Sequence, residues 1–128
     1  MDGEMDLDRL LKNMSPQLHE ESYVFIAADT FPQEVLSGAI MNFKEAEGMT
    51  VVIREEIART FDTEASRWAM ITLTVHSNLN AVGFLAAITK KLSEEGISVN
   101  AVSAYYHDHL FVPWDKREHT MQILRSFQ

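Results

Sequence analysis

The stretch W-A-M-I-T-L-T-V, residues 68–75, decides the fold because its two sides differ in chemistry. Successive side chains of a β-strand point to opposite faces, so every second residue shares a face. One face of this stretch is wholly apolar and the other is mixed: Ala69, Ile71, Leu73 and Val75 against Trp68, Met70, Thr72 and Thr74. We therefore predict a strand whose apolar face covers a hydrophobic core.

A helix is predicted after a short polar loop at residues 76–79. Apolar residues recur at i, i+4, i+7 and i+11, the spacing of one helix face: Ala81, Leu85, Ile88 and Leu92. Asn80 can cap the first turn, and Gly96 can end the helix in the left-handed conformation. These signals place the helix at about residues 81–95.

The rest of the second half reads as two strands and a helix. Residues 97–106 form the first strand, His107-Asp108 is the expected hairpin turn, and residues 110–112 form the next strand. A final helix carries Met121, Leu124 and Phe127 on one side. The order β-α-β-β-α predicts segregated helices over an antiparallel or mixed sheet. It lacks the last strand of a ferredoxin-like βαββαβ unit.

The first half shows a similar order of strands and helices, with weaker sequence signals. Its pattern indicates a helix at 5–14, a strand at 23–27, a turn at 29–32, strands at 36–43 and 50–53, and a helix at 54–60. Residues 61–66 are the best linker, so we expect an N-terminal half at 1–62 and a C-terminal domain at 67–128. Because each half lacks one strand, we expect the halves to complete each other in one sheet system, or a symmetry mate to do so.

Composition narrows the function classes. The chain has 128 residues, 19 acidic and 11 basic side chains, a net charge of −8, and no cysteine. The negative charge repels phosphate groups, so neither nucleic acid nor an anionic membrane is expected as a partner. Disulfides and thiolate zinc sites need cysteine and are excluded. An acidic start and the lack of any apolar run of ~20 residues favour the cytoplasm.

Two runs of the second half resemble the ACT-domain superfamily: M-I-T-L-T-V-H-S-N-L-N-A-V-G-F at residues 70–84, and V-N-A-V-S-A-Y-Y-H-D-H-L-F-V-P at residues 99–113. They are most similar to the branch of small bacterial tandem-ACT proteins and the arginine-sensing CASTOR proteins. In the first half, F-K-E-A-E-G-M-T-V-V at residues 43–52 resembles the uncharacterised ACT-like domain of those bacterial proteins. The resemblance implies an α+β fold of two tandem ferredoxin-like units, with antiparallel sheets and helices on one face.

The resemblance also implies a regulatory, non-catalytic protein, often a dimer, that binds an amino-acid-like ligand at an interface between ACT units. No cofactor, metal or catalytic residue is expected. In the superfamily, the loop after the first strand and the start of the first helix hold the ligand, and the following strand of a neighbour closes the site. The matching ligand-binding residues here are His76, Ser77, Asn78, Leu79, Ala81, Val82, Gly83, Asn100 and Val102.

The chemistry of this loop suits a carboxylate. A helix start exposes backbone N–H groups, and the helix dipole favours a negative charge there. Ser77 and Asn78 add hydrogen-bonding side chains, and Gly83 permits close approach of a ligand. The alternative is structural: Asn80 only caps the helix, and Gly83 only allows tight packing. The common ACT signature, Asp followed by Pro-Gly, is replaced by N-A-V-G at residues 80–83, so an acidic partner for a ligand ammonium is missing.

Two other functions stay open. The first is a ligand-free structural or protein-interaction module. The second is a metal-dependent enzyme, because His107 and His109 share one face of a strand and His76 could join them from the loop. The competing interpretation of this cluster is a polar turn in which Asp108 bonds local amides. The sequence leaves open the identity of the ligand, the downstream partner and the size of the oligomer.

Overall fold

A computed structural model describes residues 6–60, 64–75 and 81–128 of the chain. The chain divides into two compact units. Unit 1 combines the residues up to Glu20 with Ala69–Gln128, and unit 2 is Glu21–Trp68. Unit 2 is thus inserted, in sequence, into unit 1.

The described residues form six strands and five α-helices: α1 (Leu7–Asn13), β1 (Pro16–Ala28), α2 (Gln33–Gly38), β2 (Met41–Glu45), β3 (Gly48–Arg54), α3 (Glu55–Ala58), β4 (Trp68–Leu73), α4 (Phe84–Glu94), β5 (Asn100–Ser103), β6 (Asp108–Pro113) and α5 (Arg117–Arg125). A short 3₁₀ turn, Trp114–Lys116, precedes α5. The hydrogen-bonded strand order is β2-β3-β1-β4-β6-β5. None of the helices among these residues is long and apolar enough to cross a membrane.

Unit 2 follows the ferredoxin-like order. Its chain runs β1-α2-β2-β3-α3, and β3 lies between β1 and β2. Both pairings are antiparallel, and Val52 of β3 is opposite Phe25 on one side and Met41 on the other. The predicted fold class, α+β with ferredoxin-like units and antiparallel sheets, is confirmed.

Unit 1 runs β4-α4-β5-β6-α5, which is one strand short of a ferredoxin-like unit, as the sequence predicts. The missing strand comes from earlier in the same chain. The strand beside β4 is β1, and residues 16–20 of β1 belong to unit 1. The backbone N–H and the hydroxyl of Thr74 donate to the carbonyl of Ser15 at 3.2 Å and 2.7 Å, which ties the start of β1 to the end of β4. No second copy is needed to close this sheet.

Each unit has its own hydrophobic core. The predicted apolar face of β4 is confirmed, because Ala69, Ile71 and Leu73 are fully buried in unit 1. They pack with Met14, the residue that follows α1, and with residues of α1, α4, β6 and α5, among them Leu10, Ile88, Leu92, Leu110 and Leu124. The core of unit 2 is smaller and consists of Val24, Val35, Val51, Ile53 and Ala58.

The strand predicted at residues 36–43 is wrong. This segment contains the end of α2, a short connection and the start of β2. Pro32 precedes the first helical residue with φ −59°, a value suited to the entry of a helix. Val35 then faces the core, and Leu36 packs beside it. A short apolar run fits either a strand or a buried helix, so local pattern alone does not separate them.

The hairpin of unit 1 is displaced from the predicted turn. Strand β5 ends at Ser103, before the predicted end at residue 106. The backbone N–H of Ala104 donates to the carbonyl of His107 at 3.0 Å, which places Tyr105 and Tyr106 at the turn. Asp108 is therefore the first residue of β6 and is buried, not part of a solvated turn.

Candidate functional site

The predicted ligand loop is described only in part. His76, Ser77, Asn78 and Leu79 lie outside the described residues, as does the predicted cap Asn80. The first intrahelical bond of α4 joins the N–H of Ala87 to the carbonyl of Gly83 at 2.9 Å. The helix therefore begins at Phe84, three residues later than predicted. The amide groups of its first turn belong to residues 84–86 and not to 81–83.

Gly83 has a conformational reason to be glycine. It is the residue before α4 and has φ +89°, in the left-handed region. A Cβ at this position would lie 3.7 Å from Cδ2 of Leu7, which is ordinary van der Waals contact. The backbone, more than lack of space, favours glycine. Of its neighbours, Ala81 packs against the core of unit 1, and Val82 is 83% exposed.

The other two predicted ligand residues lie on β5, at the end of the strand order. Asn100 is opposite Phe111 of β6, and Val102 is opposite His109. The i, i+2 spacing puts Asn100 and Val102 on one face of the strand. The structure thus places Val102, a predicted ligand residue, opposite His109, which the sequence offered as a metal ligand.

Three polar side chains meet across unit 1. The hydroxyl oxygen of Thr72 is 2.8 Å from Nε2 of His19 and 2.9 Å from Nδ1 of His109. Thr72 is 7% exposed, so the cluster has a buried centre. Burial is the main cause that lowers the pKa of His109, and His107 and His19 lower it further, while Asp108 raises it.

The metal alternative gains no support from this arrangement. The imidazoles of His107 and His109 have centroids 6.4 Å apart, and Nδ1 of His109 is engaged with Thr72. Within residues 6–60, 64–75 and 81–128, no group of three His, Cys, Asp or Glu residues is placed to hold a metal ion. His109 lies on β6 but His107 precedes this strand, so the two imidazoles do not share a strand as the sequence suggested, and Thr72 is a partner of His109 that the sequence did not indicate.

Unit 2 contains a candidate site in a segment that the sequence alone predicts only as a turn. The segment Asp29-Thr30-Phe31-Pro32 connects β1 to α2, as residues 74–83 connect β4 to α4 in unit 1. The β1–α2 connection thus occupies the place in unit 2 that the loop after β4 occupies in unit 1. Its Asp and Pro match the acidic residue and the proline of the ACT signature, which the loop of unit 1 lacks, although Gln33 stands where the signature has glycine. An Asp followed by Pro between a strand and a helix is the signal that could have revealed it.

A cleft of about 310 Å³ lies beside this connection. It is lined by Asp29 and by the hairpin of β2 and β3, residues 44–49. The lining charges are of both signs: Lys44 is cationic, and Asp29, Glu45 and Glu47 are anionic. The hydroxyl of Thr50 donates to Glu45 at 2.5 Å, so that carboxylate is held by its own hairpin.

Gly48 lines this cleft at a point where the hairpin lies close to the end of β1. Its φ is +151°, and a Cβ there would lie 3.2 Å from the carbonyl oxygen of Ala28 and 3.5 Å from Oδ1 of Asp29. A Cβ would therefore be close to the backbone of β1, while its distance from the Asp29 carboxylate is ordinary van der Waals contact. Glycine at this position therefore allows the hairpin to approach the connection between β1 and α2.

Comparison with solved structures finds close likeness over nearly the whole chain. A protein of unknown function from Vibrio cholerae, described as a possible transport protein, is 43% identical, with 92% of each chain covered and a TM-score of 0.82. A protein from Agrobacterium tumefaciens is 16% identical, with 89% of this chain and 88% of that chain covered and a TM-score of 0.72. The regulatory subunit of aspartate kinase from Thermus flavus is 8% identical, with 89% and 97% covered and a TM-score of 0.63, a likeness of fold alone.

Sequence models of the ACT domain match both halves of the chain. One match covers residues 2–69 and the other covers residues 65–126. No curated protein matches the chain significantly. The CASTOR-like branch suggested by the sequence stays a prediction, because the matches identify the domain and not the branch. The chain belongs to the ACT-domain family and carries two ACT domains in tandem.

Proposed function

We propose that this regulatory ACT protein binds a small zwitterion of the amino-acid class and has no catalytic step of its own. The observation that carries the proposal is the cleft beside the β1–α2 connection. There a carboxylate, Asp29, and an ammonium, Lys44, line the same space of about 310 Å³. This volume is at the lower end of the usual range for small-molecule sites, roughly 300–1,000 Å³.

The two charges favour a ligand that itself carries both signs. A ligand ammonium can pair with Asp29, and a ligand carboxylate can pair with Lys44. A purely anionic ligand would face the three carboxylates of the lining, Asp29, Glu45 and Glu47, and a purely cationic ligand would meet the like charge of Lys44. Complementarity of this kind sets specificity more than affinity, because exposed ion pairs contribute only ~0–1 kcal/mol each.

The loop of unit 1 is proposed as a second location for the same class of ligand. The residues carried over from the family are His76, Ser77, Asn78, Leu79, Ala81, Val82 and Gly83, with Asn100 and Val102 of a neighbouring ACT unit closing the site. The start of α4 supports this proposal, because amide groups and the helix dipole favour a carboxylate there. A bound ligand would favour whichever assembly it binds better, and the signal would pass to a separate partner protein.

A thermal-melting screen with the free amino acids tests the proposal. A ligand that binds only the folded protein raises its stability by about 2.7 kcal/mol at a concentration 100 times Kd. Asp29→Asn and Lys44→Gln should each abolish the shift if the cleft of unit 2 binds the ligand. The double variant Ser77→Ala/Asn78→Ala should abolish it if the loop of unit 1 does.

Glu94→Gln is the matched control, because Glu94 is an exposed carboxylate at the C-terminal end of α4, opposite to the end that follows the loop of unit 1. It should retain the shift seen in the wild-type protein. Mass spectrometry of the purified protein should also detect any molecule that copurifies. If no amino acid raises the melting temperature and nothing copurifies, the ligand-binding proposal is wrong.

An interaction module without a ligand is the second candidate. The observation in its favour is Phe43, which is 64% exposed on β2, the first strand in the sheet order. An exposed aromatic residue on a strand at the end of a sheet suits pairing with another chain. This candidate predicts a homo-oligomer, most simply a dimer, that forms equally well with and without amino acids in analytical ultracentrifugation.

A further inference from the structure

His19, Thr72 and His109 form a hydrogen-bonded chain across three strands of unit 1. His19 lies on β1, Thr72 on β4 and His109 on β6, which are consecutive in the sheet. Both imidazole nitrogens contact the same oxygen, at 2.8 Å and 2.9 Å. Residues 16–20, the segment that closes the sheet, reach the other strands through His19 as well as through their backbone.

The shared hydroxyl limits the hydrogen-bonding roles of its two partners. A threonine hydroxyl has one proton to donate and two lone pairs that accept. At most one imidazole can therefore accept the threonine proton, through a bare ring nitrogen, and the other must donate its N–H to Thr72. Two neutral imidazoles meet this requirement with complementary tautomers. A single added proton can also be accommodated, on the imidazole that donates.

Two added protons weaken this arrangement. Both rings would then donate to the two lone pairs of Oγ1, the threonine proton would lose its imidazole acceptor, and two positive charges would lie within hydrogen-bonding distance of one buried oxygen. Imidazoles change charge within the physiological pH range, which makes this event accessible in solution. We propose that the His19–Thr72–His109 chain is a pH-sensitive clasp, which holds residues 16–20 in the sheet of unit 1 when the imidazoles are neutral and releases them when both are protonated.

The other groups around His109 also lower its pKa, except for Asp108. His107 and His19 disfavour its positive charge, and so does burial, which keeps the pKa of His109 below its ordinary value. The carboxylate of Asp108, on the same strand, opposes them. The residue that faces His109 from β5 is Val102, which carries no charge.

Hydrogen–deuterium exchange at pH 7.5 and pH 5.5, corrected for the intrinsic rate, tests the clasp. In the wild-type protein, protection of the amides of residues 17–20 should fall at least tenfold more on acidification than protection of β5 and β6, since Pro16 has no N–H. The neutral variant His19→Gln/His109→Asn should keep the same protection at both pH values. One of the two side-chain amides can donate an N–H to Thr72 while the other accepts the threonine proton through its carbonyl oxygen, and neither amide titrates in this range.

Thr72→Val and His119→Gln complete the experiment. Thr72→Val removes the shared hydroxyl, so the amides of residues 17–20 should exchange quickly at both pH values. His119→Gln is the control, because His119 is an exposed histidine on α5 near Glu95, and it should behave as the wild-type protein does. If the neutral variant loses protection in acid as much as the wild type, the clasp does not exist.

A titration of the wild-type protein by NMR keeps the proposal testable if the neutral variant does not fold. The imidazole signals of His109 should titrate with a midpoint below the ordinary 6.5, and the amide signals of residues 17–20 should change over the same pH range. A midpoint of His109 at its ordinary value, with no change in the amide signals of residues 17–20, would overturn the proposal.

Discussion

Replacing Gly83 with alanine should destabilise the protein by about 1 kcal/mol, for a reason located in the backbone. Gly83 has φ +89° at the start of α4, a conformation that costs an L-residue roughly 1–2 kcal/mol. The added Cβ would lie 3.7 Å from the nearest side-chain atom, Cδ2 of Leu7, so no steric term is added.

The unfolded chain reduces this cost. Alanine has fewer unfolded conformations than glycine, which returns about 0.4–1 kcal/mol of stability. The balance of the two terms is a net loss of about 1 kcal/mol. For a chain of 128 residues this corresponds to a fall in Tm of roughly 3–6 °C.

Gly96→Ala is the matched control for this substitution. Gly96 follows the other end of the same helix, has φ +75°, and has no atom within 4 Å of a Cβ placed on it. Urea unfolding should therefore give the two variants the same loss of stability within about 0.5 kcal/mol. A loss at Gly83 that exceeds the loss at Gly96 by more than about 2 kcal/mol would show that packing against α1, and not φ, requires the glycine.

Three further predictions follow from the core, from the buried imidazole and from the exposed strand. Leu10→Ala should cost about 2–5 kcal/mol in urea unfolding, since Leu10 is fully buried, and a smaller loss would mean that α1 is not part of the core. Folding lowers the pKa of His109, so the neutral imidazole contributes its full stability above the unfolded pKa of 6.5, and this contribution is lost as the pH falls toward the folded pKa. The urea midpoint of the wild-type protein should therefore decrease below pH 6.5. The decrease should be less steep in His109→Asn. Phe43→Lys should leave the free energy of unfolding within about 0.5 kcal/mol and reduce self-association in ultracentrifugation; unchanged association would exclude β2 as the contact.

The sequence predicts best the elements whose hydrophobic pattern lies entirely within the element. The alternation along β4 and the stripe along α4 each report one buried face, and both elements are present. Residues 16–20 carry no such pattern, since Leu18 is the only large apolar residue among them. Their place in unit 1 depends on pairing with β4, about fifty positions later, which no local signal specifies.

The candidate sites were predicted to a similar, partial extent. A polar loop before α4 could be recognised from local composition, and so could Asp29 before Pro32 if the following helix had been predicted. The contacts of Thr72 could not be recognised from the sequence, because His19 and His109 are 53 and 37 residues away from it in sequence. Side chains that meet across strands depend on register, and register is set by the whole sheet.

The insertion of unit 2 into unit 1 has a consequence for biosynthesis. Residues 16–20 leave the ribosome early, but their partner β4 is made only after the whole of unit 2. The nascent chain can begin to fold unit 2 while this earlier segment still waits for its neighbour. A polar sequence with few apolar side chains is well suited to that interval, because it offers little for other chains to aggregate upon.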